Sequence, residues 1–412
     1  MLTGVYAFNF IDRRLLVILQ EPIKRDLILS DAQLGLLSGF SFAVLYVTAG
    51  IPIAAFADRG NRRNIEAGAL AFWSAMTALS GLVQNYGQLL LARLGVGLGE
   101  AGGTPPAHAM IGDYFRPERR ATALSVYSSG IYGGILLGYA LGGTLADSVG
   151  WRAAFLLLGL PGILFATLVV LTVREPARGA RAGSRRPGAT GLRATLRYPS
   201  ARRSFLYLAL GCALTSFVGY GNGNSLPSLL IRHHGLSVGA AGLVLALLAG
   251  LAGGIGTFLG GFLSDRLARR DRRWYLWVPL AGGLGAFLPY YYVILGTHTA
   301  TVLVVRSAVS VVNARYLGPC IATAQALVPA RMRAQTSAVL FFVLNMIGLG
   351  LGPFLTPLAS DVFLPLAAGE NLRWAMAATA TVGLLALLMF HLAARHLPAD
   401  LAAAEPDAGP LP

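Results

Sequence analysis

The sequence predicts an all-α polytopic membrane protein: twelve transmembrane helices in two six-helix bundles related by a pseudo-two-fold axis. Three observations lead there. Of 412 residues, 55% are hydrophobic and 12% charged, where a soluble domain carries about 25% charged residues. Apolar runs long enough to cross a ~30 Å hydrocarbon core recur along the whole chain. The two halves of the chain repeat one another. The formal charge of +15 would suggest nucleic acid if it formed a patch on a soluble fold. It lies instead in short loops between apolar runs, so no nucleic-acid partner is expected and membrane lipids are.

The expected spans are residues 2–20, 31–57, 64–84, 87–112, 119–146 and 151–173, then 203–231, 237–263, 274–295, 299–327, 334–360 and 371–394. Residues 1–173 form the first six-helix bundle, 174–202 a basic linker of Arg, Gly, Ala and Pro, and 203–412 the second bundle with a short tail. The linker reads as a solvated tether, with anionic lipid as its alternative partner. Arginines alternate between loops: Arg59, Arg62 and Arg63; Arg116, Arg119 and Arg120; the linker; Arg266 to Arg273; Arg331 and Arg333. The intervening loops, such as 84–87 and 295–297, are nearly free of charge. The positive-inside rule puts the arginine-rich side and both termini in the cytoplasm, on a multi-pass protein of the inner membrane. Leu2-Thr3-Gly4 lacks a basic n-region, which excludes a cleavable signal. The chain starts almost inside its first span, which points to a short missing lead-in.

The loop after the second span reads Ala54-Ala-Phe-Ala-Asp58-Arg59-Gly-Asn61-Arg62-Arg63, and that after the eighth Gly261-Phe-Leu-Ser-Asp265-Arg266-Leu-Ala268-Arg269-Arg270. Pro117–Ser125 and Pro329–Ser337 make a second pair. A six-plus-six repeat suits a two-bundle transporter with a midplane site. The loop spacing resembles the cytoplasmic signature of the major facilitator superfamily, with Ala54, Asn61 and Ala268 where the family has Gly. The resemblance implies the major facilitator fold and a cytoplasmic gate in which Asp58, Arg62, Asp265 and Arg269 latch neighbouring helices. Read as charges alone, these residues only set topology. Gly134-x-x-x-Gly138 and Gly348-x-x-x-Gly352 let helices approach closely. Tyr139 stands where exporters of that superfamily carry a proline after glycine.

Asp12, Arg93 and Glu100 lie inside apolar stretches. A charge in the bilayer is costly and usually faces a cavity or a partner on an ion or substrate path. Arg93 and Glu100 are seven residues apart, nearly two turns and about 10 Å on one helix face. These three are the expected proton-coupling residues, Arg93 pairing with each acid in turn; the alternative is a static buried pair. Arg13 follows Asp12 but diverges from it around the helix, so the two need not pair. A shift of 213 residues maps Arg93 onto Arg306 and Glu100 onto Asn313. The second half keeps the cation and loses the acid, leaving Arg306 free for an anionic head group or for snorkelling outward. Asn313 and the span-seven polar cluster Tyr220, Asn222 and Asn224 are further candidates to line a substrate site, with a structural hydrogen bond as the alternative for each; Arg315 and Asn345 are weaker ones.

Arg93-Leu-Gly-Val-Gly97-Leu-Gly99-Glu100-Ala101, with Phe8-Asn9-Phe10-Ile11-Asp12-Arg13 and Asp58-Arg59-Gly60-Asn61-Arg62, resembles the spinster branch of that superfamily. The match is close over the first half and mainly architectural over the second. It implies a proton-coupled carrier, working by alternating access, of lysophospholipids or sphingosine phosphates, with Asp12, Arg93 and Glu100 as the intramembrane triad. A proton-coupled exporter of amphipathic drugs or small metabolites is the alternative. Expected partners are the proton and an amphipathic substrate, with the protein a monomer.

Enzyme chemistry finds no support. Gly97-x-Gly99-x-x-Gly102 spells a dinucleotide fingerprint but lies inside an apolar span with no strand before it, so it reads as helix packing. No His-Glu-x-x-His or Gly-x-Ser-x-Gly occurs, and the single lysine, Lys24, excludes a P-loop. No cofactor and no metal are expected; His233–His234 is an isolated loop pair. Cys212 and Cys320 fall in apolar runs and read as small packing residues.

Overall fold

The computed structural model describes residues 1–57, 60–176, 202–313, 316–329 and 332–403, and every regular element among them is helical. Asp58, Arg59, Arg315, Arg331 and most of the 174–202 linker lie outside the described residues. In chain order the α-helices are α1 (Leu2–Ile18), α2 (Gln20–Leu27), α3 (Asp31–Ser38), α4 (Phe40–Ala57), α5 (Arg62–Ser80), α6 (Tyr86–Glu100), α7 (Thr104–Tyr114) and α8 (Pro117–Thr172). There follow α9 (Arg203–His234), α10 (Val238–Leu245), α11 (Gly253–Ala268), α12 (Trp274–Leu295), α13 (Thr299–Asn313) and α14 (Leu317–Ala326). The last are α15 (Arg333–Leu344), α16 (Gly352–Phe363) and α17 (Asn371–Ala402). Single π-helical turns, Ala246–Ala252 and Asn345–Leu351, interrupt the eighth and eleventh spans.

Among the described residues, eight helices are long and apolar enough to cross a membrane. One of them, Thr122–Thr172, breaks at Gly150 (φ 84°, ψ 163°) and so supplies both the fifth and sixth spans. A side chain there would be strained, which is why glycine makes the break. The first, third and fourth spans, α1, α5 and α6, are shorter or more polar. They hold Asp12, Arg13 and Arg14; Arg62, Arg63 and Glu66; and Arg93 and Glu100. Of these, Asp12, Arg62, Glu66, Arg93 and Glu100 are buried.

Side-chain caps fix several helix starts. Ser30 and Gln33 form a reciprocal capping box on α3, satisfying two donors that a helix start leaves open. Asn61 accepts from the Asn64 amide at 2.9 Å and caps α5; this residue replaces a glycine of the family's loop pattern. Asn85 caps α6 and Ser237 caps α10 in the same way.

Two packing units emerge in the described parts of the chain. One comprises Met1–Arg185 with Asn224–Leu251, the other Arg186–Gly223 with Ala252–Pro412. In the first, α1 lies along α8 over glycines. A Cβ on Gly134 would stand 2.4 Å from the Ala7 carbonyl oxygen, and one on Gly138 2.9 Å from the Ile11 backbone. Gly143 faces α10, where a Cβ would come within 2.6 Å of the Val238 carbonyl oxygen. The dinucleotide-like glycines are packing glycines too: a Cβ on Gly99 would meet Trp73 Cβ at 2.8 Å, and one on Gly102 Ala69 Cβ at 2.9 Å. In the second unit, Gly348 and Gly352 abut Ser216 and Phe217 of α9. Its core includes Phe205, Leu208, Cys212, Leu276, Cys320, Leu340 and Phe390, and both cysteines are reduced and buried.

Candidate functional site

Three successive residues of α1 reach three different partners, since neighbouring side chains diverge by about 100° around a helix. Asp12 turns toward α5 and α6. Its Oδ1 lies 3.4 Å from Arg93 Nη1, and its Oδ2 accepts from the Thr77 hydroxyl. All three residues are buried. A cavity of about 10 Å³, lined by Asp12, Trp73, Ser74 and Thr77 among others, adjoins the carboxylate; that is about the smallest space that holds one water.

Arg13 turns the other way and donates from Nε to Glu100 Oε2 at 2.7 Å. Its guanidinium also lies over the rings of Phe42, Tyr46 and Phe10, at 4.6, 4.9 and 5.3 Å from their centroids. Arginine suits this position because its flat, weakly hydrated cation stacks on rings while its edge donates to a carboxylate. Glu100 is fully buried and keeps one oxygen, Oε1, without a partner; Arg93 likewise keeps Nε unpartnered. Glu100 and Arg93 are within electrostatic reach of each other. Sequence reasoning paired Glu100 with Arg93; in the structure the hydrogen-bonded partner is Arg13. Arg13 and Asp12, adjacent in sequence, do diverge around α1, and Arg13 faces Glu100 of α6.

Arg14 is a further residue the sequence did not single out. Its Nη1 stands 3.4 Å from the Tyr139 hydroxyl and 3.5 Å from Asn224 Oδ1. Tyr139, the residue in place of the exporters' proline, thus presents its ring and hydroxyl to a cation.

In the second unit, Arg306 lies 5.8 Å from the centroid of Tyr290, which shares a hydrogen bond with Asn222. The Asn222 amide donates to the Met376 carbonyl oxygen at 3.0 Å. Two polar atoms remain buried without partners, Arg306 Nε and Asn222 Oδ1. The group therefore offers one unused donor and one unused acceptor. Tyr290 was missed because an aromatic in an apolar span carries no signal until its neighbours are known. Tyr220 is half-buried, and Asn313, at the end of α13, is exposed.

At the arginine-rich end, Arg62 is buried and fully engaged. It contacts Asp113 Oδ2 at 2.6 Å and Glu175 Oε1 at 2.9 Å, and donates to the Pro176 carbonyl oxygen at 3.0 Å. The Arg63 amide donates to Glu175 Oε2 at 2.9 Å. Burial pushes the Glu175 carboxyl up, but the Arg63 amide and the Arg62 guanidinium outweigh it and hold the group below its ordinary range. Asp58, the expected partner of Arg62, lies outside the described residues. The second copy is built differently: Asp265 accepts from the Tyr275 hydroxyl at 3.0 Å, and Arg269 is exposed.

At the opposite end, Arg232 of α9 bonds Asp31 through two nitrogens, at 2.9 and 2.6 Å, and reaches Glu21 at 2.7 Å. Lys24 joins Asp31 at 2.5 Å. Bidentate geometry makes such pairs stronger and more directional than single contacts. Among the described residues no group of three metal-ligating side chains occurs.

Comparison with known proteins extends this geometry. The family model of the Major Facilitator Superfamily matches residues 2–353 and 208–410. An MFS-type efflux pump of Mycolicibacterium smegmatis is 38% identical over 366 residues, covering 88% of this chain and 83% of that protein. A sphingosine-1-phosphate transporter of Danio rerio is 31% identical over 238 residues, covering 56% of this chain and 47% of the relative. The crystal structure of a bacterial homologue of the human lysosomal transporter spinster, in an inward-facing and unoccupied conformation, superposes with a TM-score of 0.87. That protein is 34% identical, and the match covers 97% of this chain and 96% of the other.

Proposed function

The chain belongs to the major facilitator superfamily, in its spinster branch, and on that premise we propose that it is a proton-coupled secondary transporter of an amphipathic, lipid-like substrate. The substrate is of the lysophospholipid or sphingosine-phosphate type, and it moves by alternating access. One observation supports the coupling above all others: two buried acids each hold a different arginine, and the spare atoms Glu100 Oε1 and Arg93 Nε are within reach of rearrangement. Protonating Asp12 removes the charge that holds Arg93. Arg93 then turns to Glu100, whose unused oxygen accepts it, and Glu100 loosens its hold on Arg13. Proton binding is thereby converted into a change of helix contacts across α1, α5 and α6.

Arg306, with Asn222, Tyr220 and Asn313 as further contacts, receives the anionic head group. Desolvated arginine binds phosphate with geometry that lysine lacks. Arg62 with Asp58, and Asp265 with Arg269, gate the cytoplasmic side. The arginine-rich end faces the cytoplasm, as do both termini, in a monomer of the inner membrane.

The 38% identical efflux pump favours a second reading, a proton-coupled exporter of amphipathic drugs or small metabolites. Flux of a lysophospholipid and of sphingosine 1-phosphate into proteoliposomes under an imposed pH gradient separates the two. The lipid reading expects gradient-driven flux in wild type and vesicle-level flux in Asp12→Asn. Folded wild-type protein that moves neither lipid would abandon that reading for the exporter. Gradient-driven flux that survives in both Asp12→Asn and Glu100→Gln would remove the proton role from these acids.

A further inference from the structure

A third acid lies in the first unit, outside the site above. Glu66 of α5 is fully buried, and both of its carboxyl oxygens lack a hydrogen-bond partner. It differs in this from the other buried acids described so far: Asp12, Glu100, Asp31 and Glu21 each contact a cation. Glu66 sits four residues, one helical turn, inward of Arg62, whose guanidinium is committed to Asp113 and Glu175. It lies seven residues, about 10 Å of rise, from Trp73, the residue against which Gly99 packs. On α5 the carboxyl thus stands between the level of Glu100 and the cytoplasmic ion cluster.

An aromatic cluster lies within its electrostatic reach through Tyr127. Tyr127 of α8 is buried and within electrostatic reach of Glu66. Tyr127 stacks on Tyr6 of α1 at 4.5 Å, meets the ring of His108 of α7 at 5.4 Å, and shares a hydrogen bond with Thr104. From the start of α1 the Met1 amino group also reaches Glu66 electrostatically. No arginine or lysine among the described residues bonds to it, and no metal-ligating trio includes it. An anion sealed from water without donors is among the costliest arrangements in a protein. A closed position with no accessible surface has room for only the smallest neutralising species.

We propose that Glu66 is a further proton-binding carboxyl of this transporter, placed one turn inside the Arg62 cluster. The proton adds to a carboxylate oxygen to give the neutral acid, and it leaves to water when the cluster opens. Opening Arg62 from Asp113 and Glu175 uncovers the next turn of α5 and hydrates Glu66, so loss of the proton accompanies exposure to the cytoplasm. The role in transport rests on the proton-coupled reading above; the binding of the proton does not.

The test uses infrared spectroscopy of the full-length protein in liposomes, with the proton itself as the probe. In an Asp12→Asn/Glu100→Gln background the carbonyl stretch of a protonated carboxylic acid, shifted by deuterium exchange, is expected to remain. Adding Glu66→Gln should abolish it, a loss of one acid group per protein. Glu66→Met, apolar and of similar length, replaces the amide should that variant not fold. The same band with and without Glu66, or no such band in the double variant, overturns the assignment. A band that depends on Glu66 in a protein that moves no lysolipid supports the assignment and sinks only the substrate reading.

Discussion

Arg13 is the cation that makes a buried Glu100 tolerable, and its removal shows what that pairing is worth. Breaking a buried ion pair from one side leaves an uncompensated charge and costs about 3–5 kcal/mol. Glu100 has no accessible surface, whereas the Arg13 side chain retains 17% exposure, so the penalty falls on the acid. Arg13→Ala is therefore expected to lower thermal stability in detergent by that order. Arg13→Met/Glu100→Met should recover most of the loss while abolishing proton-driven flux. A thermal-shift series on the three proteins checks this; equal melting of the single and double variants would assign the loss to the aromatic contacts of Arg13. The charged types were legible in the sequence because each interrupts an apolar run. Arg93 does lie beside Asp12, one arm of the expected pairing; the Arg13–Glu100 pair was not legible, because it depends on which neighbouring helix each side chain faces. Glu66 escaped for a related reason: near Arg62 and Arg63 it resembles another loop-end charge, and only its zero exposure separates it from them.

Helix contacts follow the same division between what spacing encodes and what partners decide. Small residues four apart announce a close approach, and α1 does lie against Gly134 and Gly138 of α8. Spacing did not show that Gly143, one residue off that stripe, serves α10 instead. The two glycines 133 and 134 make a controlled comparison. A Cβ at position 134 would stand 2.4 Å from the Ala7 carbonyl oxygen, while nothing lies within 4 Å of one at 133. Gly134→Ala must push α1 away and is expected to destabilise by about 1–3 kcal/mol, the usual cost of overpacking. Gly133→Ala meets open space, and its higher helix propensity is expected to stabilise by about 0.5–1 kcal/mol. Melting temperatures of opposite sign confirm the packing; parallel shifts would mean that α1 does not pack through this face. The π-helical turns at Ala246–Ala252 and Asn345–Leu351 were invisible to hydropathy, since a single wide turn leaves the apolar pattern almost unchanged.

For the molecule as a whole, the consequence of these ion clusters is a dependence on pH that differs between the membrane interior and its arginine-rich rim. The all-α fold was legible from apolar run lengths and alternating arginine loops, because bilayer thickness and charge bias act on sequence directly. The rim cluster was only half legible, since Asp113 comes from α7 and Glu175 from the stretch after α8, and neither shares a sequence pattern with Arg62. Glu175 is held below its ordinary value of 4.5 when folded. A carboxyl whose folded value is depressed contributes stability that is complete above the unfolded value and is lost as pH falls through the folded one. The Glu175 links to Arg62 and Arg63 should thus stay intact from pH 8 down to about 5 and fail only in stronger acid. On the proton-coupled reading, protonation acts on the intramembrane acids and leaves this latch to open through helix movement. Exchange of the Arg63 amide, corrected for its intrinsic rate, reads the latch directly because that amide donates to Glu175. Protection should be flat between pH 5 and 8 in wild type and lower throughout in Glu175→Gln, where a neutral amide replaces the ionised acceptor. Protection that falls steadily across that range in wild type would make the rim itself a proton sensor and would separate latch opening from the chemistry of Asp12 and Glu100.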